Sequence, residues 1–262
     1  MLDIFFLIFL FLVGLSAGTL GSIIGVGGGI IITPVLTLLG LPPSTIASTS
    51  IFAVTASSIS SNISYSKKNL INYKIGIKIG IFSIPGAVLG AIFSNYVSNN
   101  EFKIYFAVLL IVTGIYIIIK NKITANKRYN SNNKDENKRN FLFIYCISFF
   151  AGIVSSFFGV GGGIIFVPIL LMIMQMNMIN ASPTSQFIIL ISSIVGVISH
   201  SILQHPAYDY VIPLMLGSVL GAQIGVRLFN VINERFLRII FGIVLISVAV
   251  KFIVDVIHIN YQ

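Results

Sequence analysis

One stretch occurs twice in this chain: Gly25 to Pro34 reads GVGGGIIITP, and Gly159 to Pro168 reads GVGGGIIFVP. Each copy lies in an apolar run, where every glycine costs a helix roughly 1 kcal/mol relative to alanine. Three in a row therefore predict a broken helix. Two uses fit such a break. Glycines let helix backbones approach closely inside a membrane, and a discontinuous helix turns free backbone amides and a positive N-terminal dipole towards a polar cavity, as many transporters do to hold anionic groups. The duplication favours the second use.

The breaks have to sit in lipid. With 56% hydrophobic and only 9% charged residues and a mean hydropathy of +1.00, the 262 residues cannot hide their apolar surface in a soluble core, and the lipid bilayer is the expected surrounding. The net charge of +9 does not point to nucleic acid. Much of it lies between Lys120 and Arg139 and near other segment ends, as the positive-inside rule expects. A single cysteine, Cys146, excludes an intrachain disulfide or a thiolate metal cage. The N-terminal apolar run has Asp3 and no basic residue before it, so it is expected to be retained rather than cleaved.

Apolar segments of membrane length fall at about residues 4–22, 26–41, 45–65, 75–97 and 102–120, and again at 141–157, 160–177, 181–203, 209–230 and 235–256. The expected fold is an all-α integral membrane protein of about eight to ten hydrophobic helices. The second segment reaches only about 22 Å against a hydrocarbon core of about 30 Å, so it is read as either spanning or re-entrant. Residues 1–120 form a first transmembrane repeat, 121–140 a basic cytoplasmic linker and 141–262 a second repeat. The matches are specific: Ala17-Gly18 pairs with Ala151-Gly152, and Ala47-Ser48-Thr49-Ser50 with Ala181-Ser182-Pro183-Thr184-Ser185. In the fourth segments, Gly86 to Ala91 answers Gly217 to Ala222.

The basic loops exchange places between the halves. Lys67, Lys68, Lys74 and Lys78 follow the third segment of the first half, whereas Arg227, Arg235 and Arg238 flank the turn after the fourth segment of the second. If these loops face the cytoplasm, the repeats are inverted, which needs an odd number of crossings per half. Parallel halves with four crossings each are the alternative.

The repeated glycine motif with its proline, the A-x-T-S or A-S-x-T-S element after it and the G-x-x-x-G of the fourth segment, all duplicated around a basic loop, resemble the sulfite exporter family of TauE/SafE type. The resemblance covers essentially the whole chain. It implies a multi-pass permease of the cell membrane, exporting sulfite, a sulfonate or a related sulfur anion. One departure matters. The family often has an arginine near Arg227, and the matching first-half position is Tyr96, so an arginine role belongs to one half only.

No carboxylate pair lies within a segment, and His200, His205 and His258 lack ligand spacing with Cys, Asp or Glu. Enzymatic chemistry, a metal and a cofactor are not expected. A phosphate-cradling loop is excluded because GVGGG lacks the following Gly-Lys-Ser/Thr. The candidate substrate site consists of the backbone amides of Gly27, Gly28, Gly29, Gly161, Gly162 and Gly163, with Thr49, Ser50, Thr184, Ser185 and Gln186 completing the shell. For each hydroxyl the competing role is interhelical bonding. Asn62 and His200, near the loop ends of the third segments, read as interfacial polar groups, with His200 alone suited to proton linkage near neutral pH. The competing functions are a membrane assembly or interaction subunit that transports nothing, and a permease for another small solute. A homo-oligomer is compatible with either.

Overall fold

The computed structural model describes residues 3–119, 136–203, 205–229 and 246–254. Nine helices are labelled here: α1 (Ile4–Ile24), α2 (Gly29–Leu38), α3 (Pro43–Lys67), α4 (Tyr73–Phe93), α5 (Asn99–Ile119), α6 (Glu136–Phe158), α7 (Gly163–Pro168), α8 (Met178–Ile202) and α9 (Tyr208–Leu228). Residues 246–254 are also helical, and no strand occurs among the described residues. The chain is thus an all-α membrane protein. α6 starts at Glu136, inside the stretch assigned to the linker. Most of that linker and much of the last expected segment lie outside the described residues.

The compact units do not follow the two halves. One combines Met1–Tyr96 with Lys138–Phe229, and the other Val97–Asn137 with Asn230–Gln262. In the smaller, Ser98 and Glu101 cap α5 reciprocally: the Ser98 backbone N–H donates to the Glu101 carboxylate at 2.9 Å and the Glu101 backbone N–H to the Ser98 hydroxyl at 3.3 Å, a capping box that satisfies an end of the helix. The Phe106 ring meets that of Phe252 at 6.2 Å between centroids.

In the larger unit, α1, α4, α8 and α9 are each long and apolar enough to cross a membrane. α3 is long enough but too rich in serine to qualify by composition. It lies beside α9 for its whole length, with Thr49 bonded to Ala207, Ser60 to Val219, Ser64 to Gln223 and Lys68 to Val226. α3 therefore takes the same course as α9, buried among helices, where its serines bond to protein instead of facing lipid. Phe5, Ile8, Leu12, Ile212, Leu216 and Leu220 are exposed on α1 and α9, the arrangement a lipid-facing surface requires.

Glycines set the tightest pairings, because without a Cβ two backbones can touch. A Cβ on Gly18 would collide with the Ser218 backbone, and one on Gly221 or Gly225 with those of Leu15 and Thr19; on the other side, one on Gly86 or Gly90 would strike Phe149 or Ile153. So α1 packs on α9 and α6 on α4. Each pairing joins helices from opposite halves.

The order of these contacts fixes direction. Residue numbers rise together along α1 with α9, α3 with α9, α6 with α4, and α8 with α4, where Thr184 meets Asn72 and Ile191 lies at Gly80. They run oppositely along α3 and α8, since Ile51 faces Gly196 while Asn62 bonds to Gln186. Hence α1, α3 and α9 point one way and α4, α6 and α8 the other.

Candidate functional site

The glycine motif ends α1 and α6 and restarts the chain as α2 and α7. Gly25 and Gly27 have φ of 82° and 77°, and Gly159, Gly161 and Gly162 have 69°, 87° and 71°. Residues with a Cβ rarely adopt this region, so the sequence breaks where it must. Past the first break α2 runs for ten residues with Pro34 inside it. Past the second, α7 lasts six residues and passes at Pro168 into a π turn, Ile169–Ile173. A proline has no N–H to donate and clashes with the preceding turn, which accounts for the loosened winding there.

The two breaks touch. A Cβ on Gly29 would meet the Val160 Cα at 2.5 Å, and one on Gly163 the Val26 Cα at 2.5 Å and the Gly25 carbonyl oxygen at 2.7 Å. Val54 of α3 and Ile189 of α8 flank the crossing from both sides. Cβ positions on Gly27 and on Gly161 each lie within 4 Å of both side chains. Val54 and Ile189 each stand four residues beyond the repeated serine, Ser50 or Ser185.

Among the described residues the N–H groups of Gly27, Gly28 and Gly29, and those of Gly162 and Gly163, have no acceptor, whereas Gly25 and Val26 donate to Gly21 and Val160 to Ser155. Free amides at the start of a helix are expected. Here they are buried, which is costly without a partner. Gly161 is different: its N–H reaches the Ser155 carbonyl at 3.5 Å.

The hydroxyls hold the crossing together reciprocally. Ser50 donates to the Gly159 carbonyl at 2.8 Å, and Ser185 to the Gly25 carbonyl at 2.6 Å. Thr33, which sequence reasoning missed, donates to Phe158 O at 2.8 Å. Thr49 accepts from the Ala207 N–H at 3.4 Å, at the start of α9, and Thr184 accepts from the Asn72 N–H at 3.0 Å, at the start of α4. Both threonines thus tie down the entry of a neighbouring helix.

Gln186 spans the interface of α3 and α8. Its Nε2 donates to Gly21 O at 2.6 Å and its Oε1 accepts from Ser58 at 3.1 Å. Asn62 donates to Ser58 O at 2.7 Å and Gln186 O at 3.0 Å, leaving Oδ1 buried without a partner. Asn62 and His200 are both buried, while Ile59 and Ile63 of α3 and Ile194 and Ile198 of α8 are exposed.

Two further buried hydroxyls, Ser155 and Ser156, have no partner among the described residues. Ser155 adjoins the second break, with its Cβ 3.1 Å from where a Cβ on Gly162 would stand. No repeat signal marks it, since the matching residue four positions before the first motif is Gly21. Arg227 is exposed, and Lys68 donates to Val226 O at 3.0 Å, so the loop after α3 and the end of α9 share one end of the bundle. No group of three metal-ligating side chains occurs among the described residues.

The family described as Sulfite exporter TauE/SafE matches residues 10–252. A probable membrane transporter protein, YunE of Bacillus subtilis, is 30% identical over 266 residues, covering 95% of this chain and 97% of the relative. One from Methanocaldococcus jannaschii is 30% identical over 252 residues, covering 90% and 91%, and another, ORF9 of Sinorhizobium, is 26% identical with coverage of 96% and 94%. No solved structure matches the chain significantly.

Proposed function

The chain belongs to the sulfite exporter TauE/SafE family, and from that premise, which makes it a multi-pass membrane transporter, we propose that it carries a small sulfur-containing anion such as sulfite or a sulfonate out of the cell across the cytoplasmic membrane. No catalytic step is involved. The observation that carries the reading is the crossing of the two breaks, where Gly27, Gly28, Gly29, Gly162 and Gly163 are buried and their N–H groups have no acceptor among the described residues. Such amides suit an anion that must bind and leave again, because they supply donors and a partial positive field without a full counter-charge.

The two halves act as inverted repeats about this crossing. Support comes from the opposed directions of α1, α3 and α9 against α6, α8 and α4, and from the reciprocal bonds of Ser50 and Ser185. With Lys68 and Arg227 at one end of the bundle, the positive-inside rule makes that end cytoplasmic. Rocking of one half against the other would then expose the crossing to each side in turn. Of the eleven residues assigned to the site by sequence, the glycine amides other than that of Gly161 remain its donors. Thr49, Ser50, Thr184, Ser185 and Gln186 serve instead as the frame that holds the breaks.

A second reading is favoured by those same hydroxyls: all are engaged within the protein, as expected of a subunit in which the motif only packs helices. Sealed vesicles preloaded with unlabelled sulfite separate the two. A transporter accelerates entry of labelled sulfite well above protein-free vesicles, and competing sulfonates slow it. Entry at the protein-free rate for sulfite, sulfate, thiosulfate and small sulfonates would leave the packing reading.

A further inference from the structure

Near the opposite end of α3 and α8 from the serines, the halves repeat another contact with different chemistry. Tyr65 and His200 each stand fifteen residues after the repeated serine, and Ser22 and Ser156 each stand three residues before the motif. In the first half the Tyr65 hydroxyl donates to the Ser22 carbonyl at 2.8 Å. In the second, His200 Nε2 lies 3.0 Å from the Ser156 carbonyl. A phenol suffices to bridge the helices, so packing alone does not require an imidazole here.

The imidazole does not end at that bond. His200 Nδ1 lies 2.9 Å from Nδ1 of His205, in the loop between α8 and α9, and the His205 backbone N–H donates to the His200 carbonyl at 3.2 Å. A carbonyl only accepts, so His200 carries its proton on Nε2 and, when neutral, presents a bare Nδ1. A hydrogen bond between the two Nδ1 atoms then requires the proton on His205 Nδ1, leaving His205 Nε2 as the free acceptor. The protons are thus ordered along a line. It runs from half-buried His205 through fully buried His200 to α6, ending about one helical turn before the second break.

We propose that His205 and His200 form a proton relay that couples proton movement to anion transport, taking up a proton at His205 Nε2 and passing it to the buried end of the pair beside Ser156. The idea rests on the transport reading above. In the step, His205 Nε2 gains a proton, the N–H bond at His205 Nδ1 breaks as one forms at His200 Nδ1, and the positive charge moves to His200. One proton is bound and no other bond changes. Release reverses the same transfers through His205, to whichever side that ring then faces. The charge arrives near the crossing, where it favours an anion, and Ser156 Oγ is buried there with no partner of its own.

Among the described residues no other titratable group contacts either ring. α6 contributes the Ser156 carbonyl and its uncharged hydroxyl, and α3 contributes Ile51 across Gly196. Asp209 in the first turn of α9 is exposed and bonds to neither ring. Burial lowers the His205 pKa below the ordinary histidine value, so His205 stands neutral at neutral pH and takes up its proton on the acidic side of it.

Two measurements on the full chain test this. In proteoliposomes, His200→Gln and His205→Gln should keep the counterflow of labelled sulfite at equal pH while losing at least tenfold in sulfite accumulation driven by a pH gradient. Wild-type accumulation in both variants would overturn the relay. If wild type shows no counterflow, the transport reading fails for sulfite, and coupling fails with it. Histidine-selective nitrogen NMR then still decides the pair itself. Neutral His200 should carry Nε2–H and His205 Nδ1–H, and both rings should shift together on acidification, with the His200 response changed in His205→Gln. A proton on His200 Nδ1 at neutral pH, or a His200 titration indifferent to His205→Gln, would refute it.

Discussion

The two glycine breaks share a sequence but not a backbone. In the first, Gly28 keeps an ordinary right-handed conformation with φ of −70°; in the second, its counterpart Gly162 is left-handed at 71°. The neighbour four residues before each motif accounts for the difference. A Cβ on Gly21 would stand 2.6 Å from both Gly27 C and Gly28 N, so the first break closes against a position that must lack one. Ser155 carries a Cβ at that position, and the second break turns away through Gly162, making room for a hydroxyl that has no partner among the described residues. The repeat therefore conserves the crossing and varies its lining.

The largest effect should come where the halves are alike. Gly29→Ala and Gly163→Ala each place a Cβ against the backbone of the opposite break, and neither backbone can yield without parting the crossing. Each should cost about 3 kcal/mol, the upper range for overpacking, read as lost folded yield and a lowered melting temperature in detergent. Comparable losses in both would show that the breaks depend on each other equally. A silent variant in one would show that they do not.

A smaller effect should separate them. Gly162→Ala adds a left-handed conformation costing roughly 1–2 kcal/mol to a contact with the Phe166 ring at 2.8 Å, whereas Gly28→Ala meets only Ala17 atoms at 3.0 Å or more. Gly162→Ala should thus be the less stable by about that amount in paired thermal melts. Equal melting would remove the conformational difference between the breaks.

Much of this organisation was legible in the residues. The duplicated motif located both breaks, because three glycines admit few alternatives, and the exchanged basic loops pointed to opposed halves, consistent with Lys68 meeting Val226 at one end of the bundle. The roles of the hydroxyls were not legible. Ser50 and Thr49 are adjacent in sequence, yet one bonds to Gly159 and the other to Ala207, since successive residues of a helix face different neighbours. Nor does periodicity reveal that Gly21 and Ser155 are equivalent positions with different consequences. That follows only from which backbone lies opposite them.

The smallest effect should carry the opposite sign. Ser155→Ala removes a buried hydroxyl without a partner, so stability should stay level or rise by up to about 1 kcal/mol. Sulfite affinity should fall if that hydroxyl faces the anion. A loss of stability instead would mean that Ser155 is satisfied within the protein.

The central claim is that both breaks form one anion site, and amide NMR of glycine-labelled protein in nanodiscs, titrated with sulfite, tests it most directly. The account predicts that the Gly27, Gly28 and Gly29 resonances move together with those of Gly162 and Gly163, along one saturation curve with a single midpoint. Movement confined to one break, separate midpoints for the two, or shifts only at loop glycines such as Gly40 would contradict it.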